Sequence, residues 1–425
     1  MSETGKAQVP ARLGTIDISG AGARCKMLLG DIDGDGRMEV VMIQADGGID
    51  DRYVPHQVQC ATAFSLDGEL LWQVGAPDPE AGGPGSDYPA QLYDIDGDGC
   101  CELLCVMDRQ FRIIDGRTGV VREARELPDE LAHDCIIIAN LSGGERARDI
   151  ILKDRYRRLW AMDADWRLLW THEGNPGHYP WVHDIDGDGC DEVMAGYTML
   201  NHDGTPLWSC QDLDDHADCL WIGDVLGDGT RQLVVGGSVT VLYDFAGREL
   251  WRYDGSIESQ HVALGRYRSD EPGLQVAGLD RIVRGDQGAA SGRDGIFLLD
   301  RYGRELWKED RQTKGWLTII ETLRDWDGAA LDYILAYRRG GGVLPSLLDG
   351  HGRTAWAFPV DGYVQYGDLT GAGRTHVLIY DDRQASIWAA EPGTLAAARP
   401  GQPLRQPKRL HHATLYPGGE YGEVI

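Results

Sequence analysis

Asp31, Asp33, Asp35 and Glu39 occupy positions one, three, five and nine of a short segment, and the same spacing returns at Asp94, Asp96, Asp98, Glu102 and at Asp184, Asp186, Asp188, Glu192. Four carboxylates held this close repel one another unless a hard cation lies between them, and an all-oxygen donor set with glycine at the tight turns suits Ca²⁺. The seventh residue varies (Arg37, Cys100, Cys190), as expected of a ligand that offers only its backbone carbonyl. An EF-hand is excluded, because its bidentate Glu falls at position 12 and its flanks are helices. Here the flanks are apolar and strand-like, with Lys26-Met-Leu-Leu before the first loop and Glu39-Val-Val-Met-Ile after it.

A second set of residues carries different chemistry. His56, His133, His178, Tyr179, His216, His261, Trp316 and Tyr363 are scattered among basic runs containing Arg155, Arg281, Arg284, Arg338, Arg339 and Arg383. Arginine grips carboxylates bidentately and aromatic rings stack on sugar faces, so these residues, if gathered, suit an anionic, hydroxyl-rich ligand.

The elements that must gather them are repeats. Positions equivalent to Asp31 recur at Asp94, Asn140, Asp184, Asp224, a turn at Gly265–Tyr267, a turn near Asp325, and Asp368. The spacing, roughly 40 to 60 residues, marks a propeller or related array. Each unit reads as an apolar strand, an acidic turn, an apolar strand, a strand ending in Asp-x-x-Gly or similar, and a last strand. Trp72, Trp170, Trp208, Trp251, Trp307 and Trp356 close six units, and Val121 takes that place in the second. Four antiparallel strands make one blade. The eighth unit lacks a clear fourth strand, which the N-terminal segment Arg12 to Ser19 is expected to supply, closing the ring. The predicted fold is therefore an all-β, eight-bladed propeller, with seven blades as the alternative. It forms one domain over residues 1–425, with 391–425 as a C-terminal strap. On this scheme the acidic turns occupy one face and the His and Arg segments the other.

Net charge is −27, which argues against nucleic acid, since phosphate repels such a surface. No stretch is apolar enough for a signal peptide or a membrane span, and nine irregularly spaced cysteines do not read as a disulfide framework, so a cytoplasmic location is expected. The sequence is silent on oligomeric state.

The Asp-x-Asp-Gly-Asp-Gly-x-x-Glu loop followed by an apolar strand resembles the FG-GAP or VCBS-type repeats. The segment from Asp184 to Gly196, followed by Asp215-His-Ala-Asp218, is similar to the propeller-type rhamnogalacturonan lyases, with His216 and Asp218 the matched positions. The resemblance implies a Ca²⁺-dependent propeller that cleaves an oligosaccharide of rhamnose and uronic acid (glucuronate or galacturonate) by β-elimination. The missing export signal favours an imported oligosaccharide over a polymer. Such an elimination removes the proton at C5 of the uronate while its carboxylate is neutralised. Arg155, Arg284, Arg338 and Arg339 are the candidates for neutralisation, and His178, His216 and His261, with Tyr179 next, for base, acid or pocket-metal ligand. His56, His133, Arg155, Arg281, Arg339, Trp316, Tyr363 and Arg383 are the candidates for holding the sugar. Two other classes fit the repeats, a non-catalytic propeller that binds sugar or protein and a quinone-dependent dehydrogenase. Neither explains the histidines as well.

Overall fold

Alternating apolar positions bounded by Gly- and Asp-rich turns give short antiparallel strands, and in a computed structural model these assemble into eight sheets. The structure describes residues 6–46, 56–81, 86–210, 212–213, 216–283, 293–311, 318–338, 342–404, 413–416 and 418–422. Blades 1 to 7 each run through four sequential strands, beginning at Lys26, Ala90, Cys135, Trp181, Cys219, His261 and Thr318. Blade 8 takes three strands from Tyr363 to Ala389, and its outer strand is the N-terminal segment Ala11–Asp17, paired antiparallel with Gln384–Ala389. Joining the N-terminal segment to the last strand of the repeats within one sheet closes the ring. This is the expected eight-bladed propeller.

The innermost strands are buried along their length, as in Lys26–Gly30, Cys135–Ala139 and Cys219–Gly223, whereas outer strands such as Val121–Glu126 are exposed. The blade-closing tryptophans lock neighbours together. Indole N–H groups of Trp72, Trp170, Trp208, Trp251 and Trp307 donate to carbonyls in the last turn of the following blade, those of Gly116, His202, Phe245, Arg301 and Gly350, at 2.6 to 3.1 Å. Each ring lies over a left-handed glycine of that turn. At Gly247 (φ +83°) a Cβ would come within 2.5 Å of Trp208, so the Asp-x-x-Gly motif is needed both for the turn and for the indole above it.

The C-terminal part has two docked pieces. Arg399 and Gly401 N–H groups donate to the Asp35 and Gly34 carbonyls of the first acidic loop, and Leu404 N–H to Asp31 Oδ2 at 2.8 Å. Residues Gly419–Glu420 pair in parallel with the inner edge of blade 5, making it five-stranded. All nine cysteines are free thiols, and among the described residues no helix is long and apolar enough to cross a membrane.

Candidate functional site

The three acidic loops connect first and second strands, all on one face, and are superimposable in their hydrogen bonding. In the first, Asp31 accepts from the Gly34 and Gly36 N–H groups, Asp33 from Asp35, Asp35 from Arg37, and Glu39 from Ile32. The same bonds recur from Asp94 to Glu102 and from Asp184 to Glu192. In each loop one oxygen of the first Asp, the second Asp and the final Glu lie within 4.8 Å of one another, so each offers a hard-cation site. With no counter-ion, burial and the neighbouring carboxylates push Glu39 up to about 9 and Glu102 up to about 7. The seventh residues Arg37, Cys100 and Cys190 use their N–H groups to bind the fifth-position Asp.

Degenerate units keep the last residue's structural task and drop the charge. Gln232 accepts from Val225 and Leu226, and Gln275 from Tyr267 and Arg268, as Glu39 does from Ile32. The intact loops also differ among themselves. In the second, Arg122 contacts Asp96 at 2.6 Å and Glu102 at 2.7 Å, and Arg117 contacts Asp98 at 2.9 Å. Among the described residues no Arg or Lys pairs with the third-loop carboxylates Asp184, Asp186, Asp188 or Glu192.

The opposite face gathers groups from the lead-in to each innermost strand. Asp87, His178, His216 and Glu258 each stand three residues before the first residue of their blade's inner strand, so the repeat places them at one level around the axis. His178 is buried, with Nδ1 3.1 Å from Asp87 Oδ2 and Nε2 3.0 Å from the Tyr156 hydroxyl. A carboxylate only accepts, which puts the proton on Nδ1 and leaves the Nε2 lone pair to accept from Tyr156. Asp218 Oδ1 lies 3.6 Å from His178 Nε2 and 3.5 Å from His216 Nε2. Ligand atoms of His178, His216 and Asp218 fall within 4.8 Å of one another. Burial, with Arg155 and His216 alongside, holds His178 well below its ordinary value, so it is neutral at neutral pH.

This cluster rests on a buried charge quartet. Lys153 Nζ contacts Asp134 and also donates to the carbonyls of Asp154 and Arg155. Arg155 Nη1 lies 2.9 Å from Asp87 Oδ2 and 3.3 Å from Asp134 Oδ1. Burial opposes ionisation of Asp134, yet Lys153 and Arg155 hold its carboxyl well below the usual range. From below, the Tyr416 ring stacks on His178 (centroids 3.6 Å apart) and lies parallel to His261 (5.4 Å), while Thr414 donates to Asp87 Oδ1.

Two expectations need correction. Arg155 is 7 % exposed and committed to Asp87 and Asp134, so it is part of the framework and is not open to grip a ligand carboxylate. Tyr179 points away between blades, its hydroxyl donating to the Ile136 carbonyl at 3.1 Å, and Tyr156 is the phenol that reaches the histidines. His56 and His133 sit edge to face beside the quartet, 4.8 Å between centroids. Arg338, Tyr363 and Arg383 lie farther round, in blades 7 and 8. Arg284, Trp316 and Arg339 lie outside the described residues, and Arg281 is placed only by its backbone in the strand Gln275–Val283. Asp87 and Tyr416 escaped sequence reasoning. Asp87 has one legible signal, its offset of three residues from the strand, shared with His178 and His216.

No protein-family model matches the chain. It is 26% identical over 259 aligned residues to rhamnogalacturonan exolyase YesX of Bacillus subtilis (strain 168), covering 46% of this chain and 41% of the relative. Rhamnogalacturonan endolyase YesW of the same organism matches at 22% over a stretch with the same coverage. The chain thus spans less than half the length of the curated relatives it matches. The crystal structure of YesX superposes with a TM-score of 0.64 and 18% identity over 97% of this chain and 80% of that one, which bears out the propeller fold.

Proposed function

We propose that the chain is a carbon–oxygen lyase that cleaves a rhamnose–uronate oligosaccharide by β-elimination on the histidine-bearing face, with Ca²⁺ in the three acidic loops opposite. The observation that carries this is the convergence of Tyr156, His178, His216 and Asp218 from three successive blades, in a chain similar in sequence to two rhamnogalacturonan lyases.

His216 is the proton acceptor in this scheme. Its side chain is 21 % exposed, against 3 % for His178, so it is the imidazole of the cluster that a ligand can reach. It takes the C5 proton, the C–H electrons form the C4–C5 double bond, and the C4–O4 bond breaks with its electrons on oxygen. The Tyr156 hydroxyl, held by His178, is placed to return a proton to that oxygen. Asp87 fixes the tautomer and orientation of His178, and the quartet fixes Asp87.

A second arrangement is favoured by the ligand set itself. His178, His216 and Asp218 form a two-imidazole, one-carboxylate constellation, and the Asp87 contact to His178 Nδ1 leaves the Nε2 lone pair facing the other two. A divalent cation bound there would neutralise the uronate carboxylate as charge develops on it. Proton transfer would then fall to Tyr156 or His261.

Incubation with a panel of uronate–rhamnose oligosaccharides, read by mass and by the ultraviolet absorbance of an unsaturated uronate, tests the reaction. Products whose masses sum to the substrate are expected. A sum heavier by one water means hydrolysis and defeats the lyase reading, and an unchanged panel favours a sugar-binding propeller.

A further inference from the structure

Beside the quartet, on the histidine face, a cavity of about 470 Å³ opens between blades 1, 2 and 3. That volume lies within the range of small-molecule sites and far exceeds the room needed by one or two waters. His56 and His133 line it, and they are 2 % and 5 % exposed. His133 Nδ1 accepts from the His56 backbone N–H at 3.3 Å, so its proton is on Nε2, and among the described residues that N–H has no hydrogen-bond partner. His56 Nε2 lies 3.4 Å from Asp134 Oδ1 without a hydrogen bond between them, and among the described residues neither ring nitrogen of His56 has a hydrogen-bond partner. Two buried imidazoles therefore hold three ring nitrogens without a hydrogen-bond partner among the described residues, and leaving buried polar groups unsatisfied is costly.

A hydroxyl group both donates and accepts, so it can pair with such a nitrogen whether or not that nitrogen carries the proton. The rim selects further. Among the described residues of the rim, Asp46, Glu126 and Glu130 outnumber the guanidinium of Arg109, which disfavours an anion and supplies acceptors for more hydroxyls, while Leu127 gives an apolar wall. We propose that this cavity is a binding site for a neutral pyranose, a subsite for the uncharged sugar of the substrate, and in that role it rests on the lyase reading above. The geometry ties it to the His178 cluster through continuous contacts: His56 to Asp134, Asp134 to Arg155, Arg155 to Asp87, and Asp87 to His178.

The test uses the full chain and calorimetric titration with methyl α-rhamnoside, methyl glucuronide and methyl glucosaminide. The neutral glycoside is expected to bind at least tenfold more tightly than either charged one. His133→Phe and Leu127→Trp, the second filling the cavity from its half-exposed wall, should each weaken that binding tenfold or more. In turnover of a rhamnose–uronate oligosaccharide they should raise KM about tenfold while kcat falls far less. If His133→Phe does not fold, Leu127→Trp alone carries the test. Preferred binding of the glucuronide or the glucosaminide overturns the proposal, as does undetectable glycoside binding or an unaltered KM in Leu127→Trp. A wild-type chain that binds the neutral glycoside in this cavity but turns over no oligosaccharide leaves the pocket standing and removes the lyase reading. Normal turnover with an unaltered KM in both variants does the reverse.

Discussion

The two faces of the ring are built on opposite plans. On the acidic face the frame of each loop is local: the five side-chain hydrogen bonds that shape the first lie between residues 31 and 39, the pattern is stamped three times, and the C-terminal segment docks onto a loop already framed. On the histidine face nothing repeats whole. Asp87 meets Arg155 across 68 residues, His178 across 91 and Thr414 across 327. Local loops can be lost one at a time, whereas a network of shared carboxylates fails together, because removing one member leaves another buried and uncompensated.

The sharpest way to break this contrast is at His216. His216→Ala is expected to keep its fold and metal content and to lose roughly two to four orders of magnitude in turnover, measured by unsaturated-uronate formation. His216→Gln, which hydrogen-bonds but takes no proton at neutral pH, should not restore it. Normal turnover in a folded variant would move the proton acceptor elsewhere, with His261 and Tyr156 next. For stability, Lys153→Met should be the most damaging change on this face. It leaves Asp87 and Asp134 with Arg155 alone and should cost about 3–5 kcal/mol in denaturant unfolding. A loss below about 1 kcal/mol would show that the quartet is not cooperative.

The acidic face should respond by degrees. Chelation is expected to lower the melting temperature, and Asp33→Ala to remove one ion while leaving the other two. An unchanged melt, with no Ca²⁺ by elemental analysis, would remove the structural-metal proposal. In the chelated protein, Glu39 and Glu102 are held above their unfolded value near 4.5, to about 9 and about 7. The folded state then binds more protons than the unfolded one between those limits. Chelated protein should therefore melt progressively lower as pH rises from about 5 to 9, and added Ca²⁺ should flatten the dependence. The smallest effect separates the loops from one another. Arg122 competes for Asp96 and Glu102, so Arg122→Gln should raise the Ca²⁺ affinity of the second loop severalfold, the scale of an exposed pair worth about 0.2–1 kcal/mol. Titration calorimetry showing no change would mean that Arg122 and the ion use different oxygens.

The same contrast explains what could be read from the residues alone. Repeating carboxylates, Asp-x-x-Gly turns and closing tryptophans specify the blade, its count and the face of each loop, because the loops and turns are framed within a few residues and each tryptophan recurs at the same place in its unit and meets the next one. The expectation that the N-terminal segment completes blade 8 also follows from local counting, since a unit with three strands needs a fourth. His178 and His216 were legible for the same reason, as lead-ins to consecutive inner strands.

What only the tertiary structure decided is how charges and rings pair across blades. A sequence shows Arg155 as one more base in a basic run, and nothing within it says that Asp87 and Asp134 arrive from two other lead-ins to neutralise it. Tyr156 and Tyr179 are equally plausible phenols until the ring closes and turns one toward the histidines and the other into the wall. Tyr416, far along the chain, becomes the floor under His178 because residues 413–415 bond to the lead-in of blade 2 and Gly419–Glu420 adds to the inner edge of blade 5. Turns and strand pairings within a blade follow from short-range sterics and hydrogen bonding, which the order of residues dictates directly. The partners of a buried charge are chosen by whichever groups the closed ring leaves within reach, and the low dielectric there makes those choices decisive.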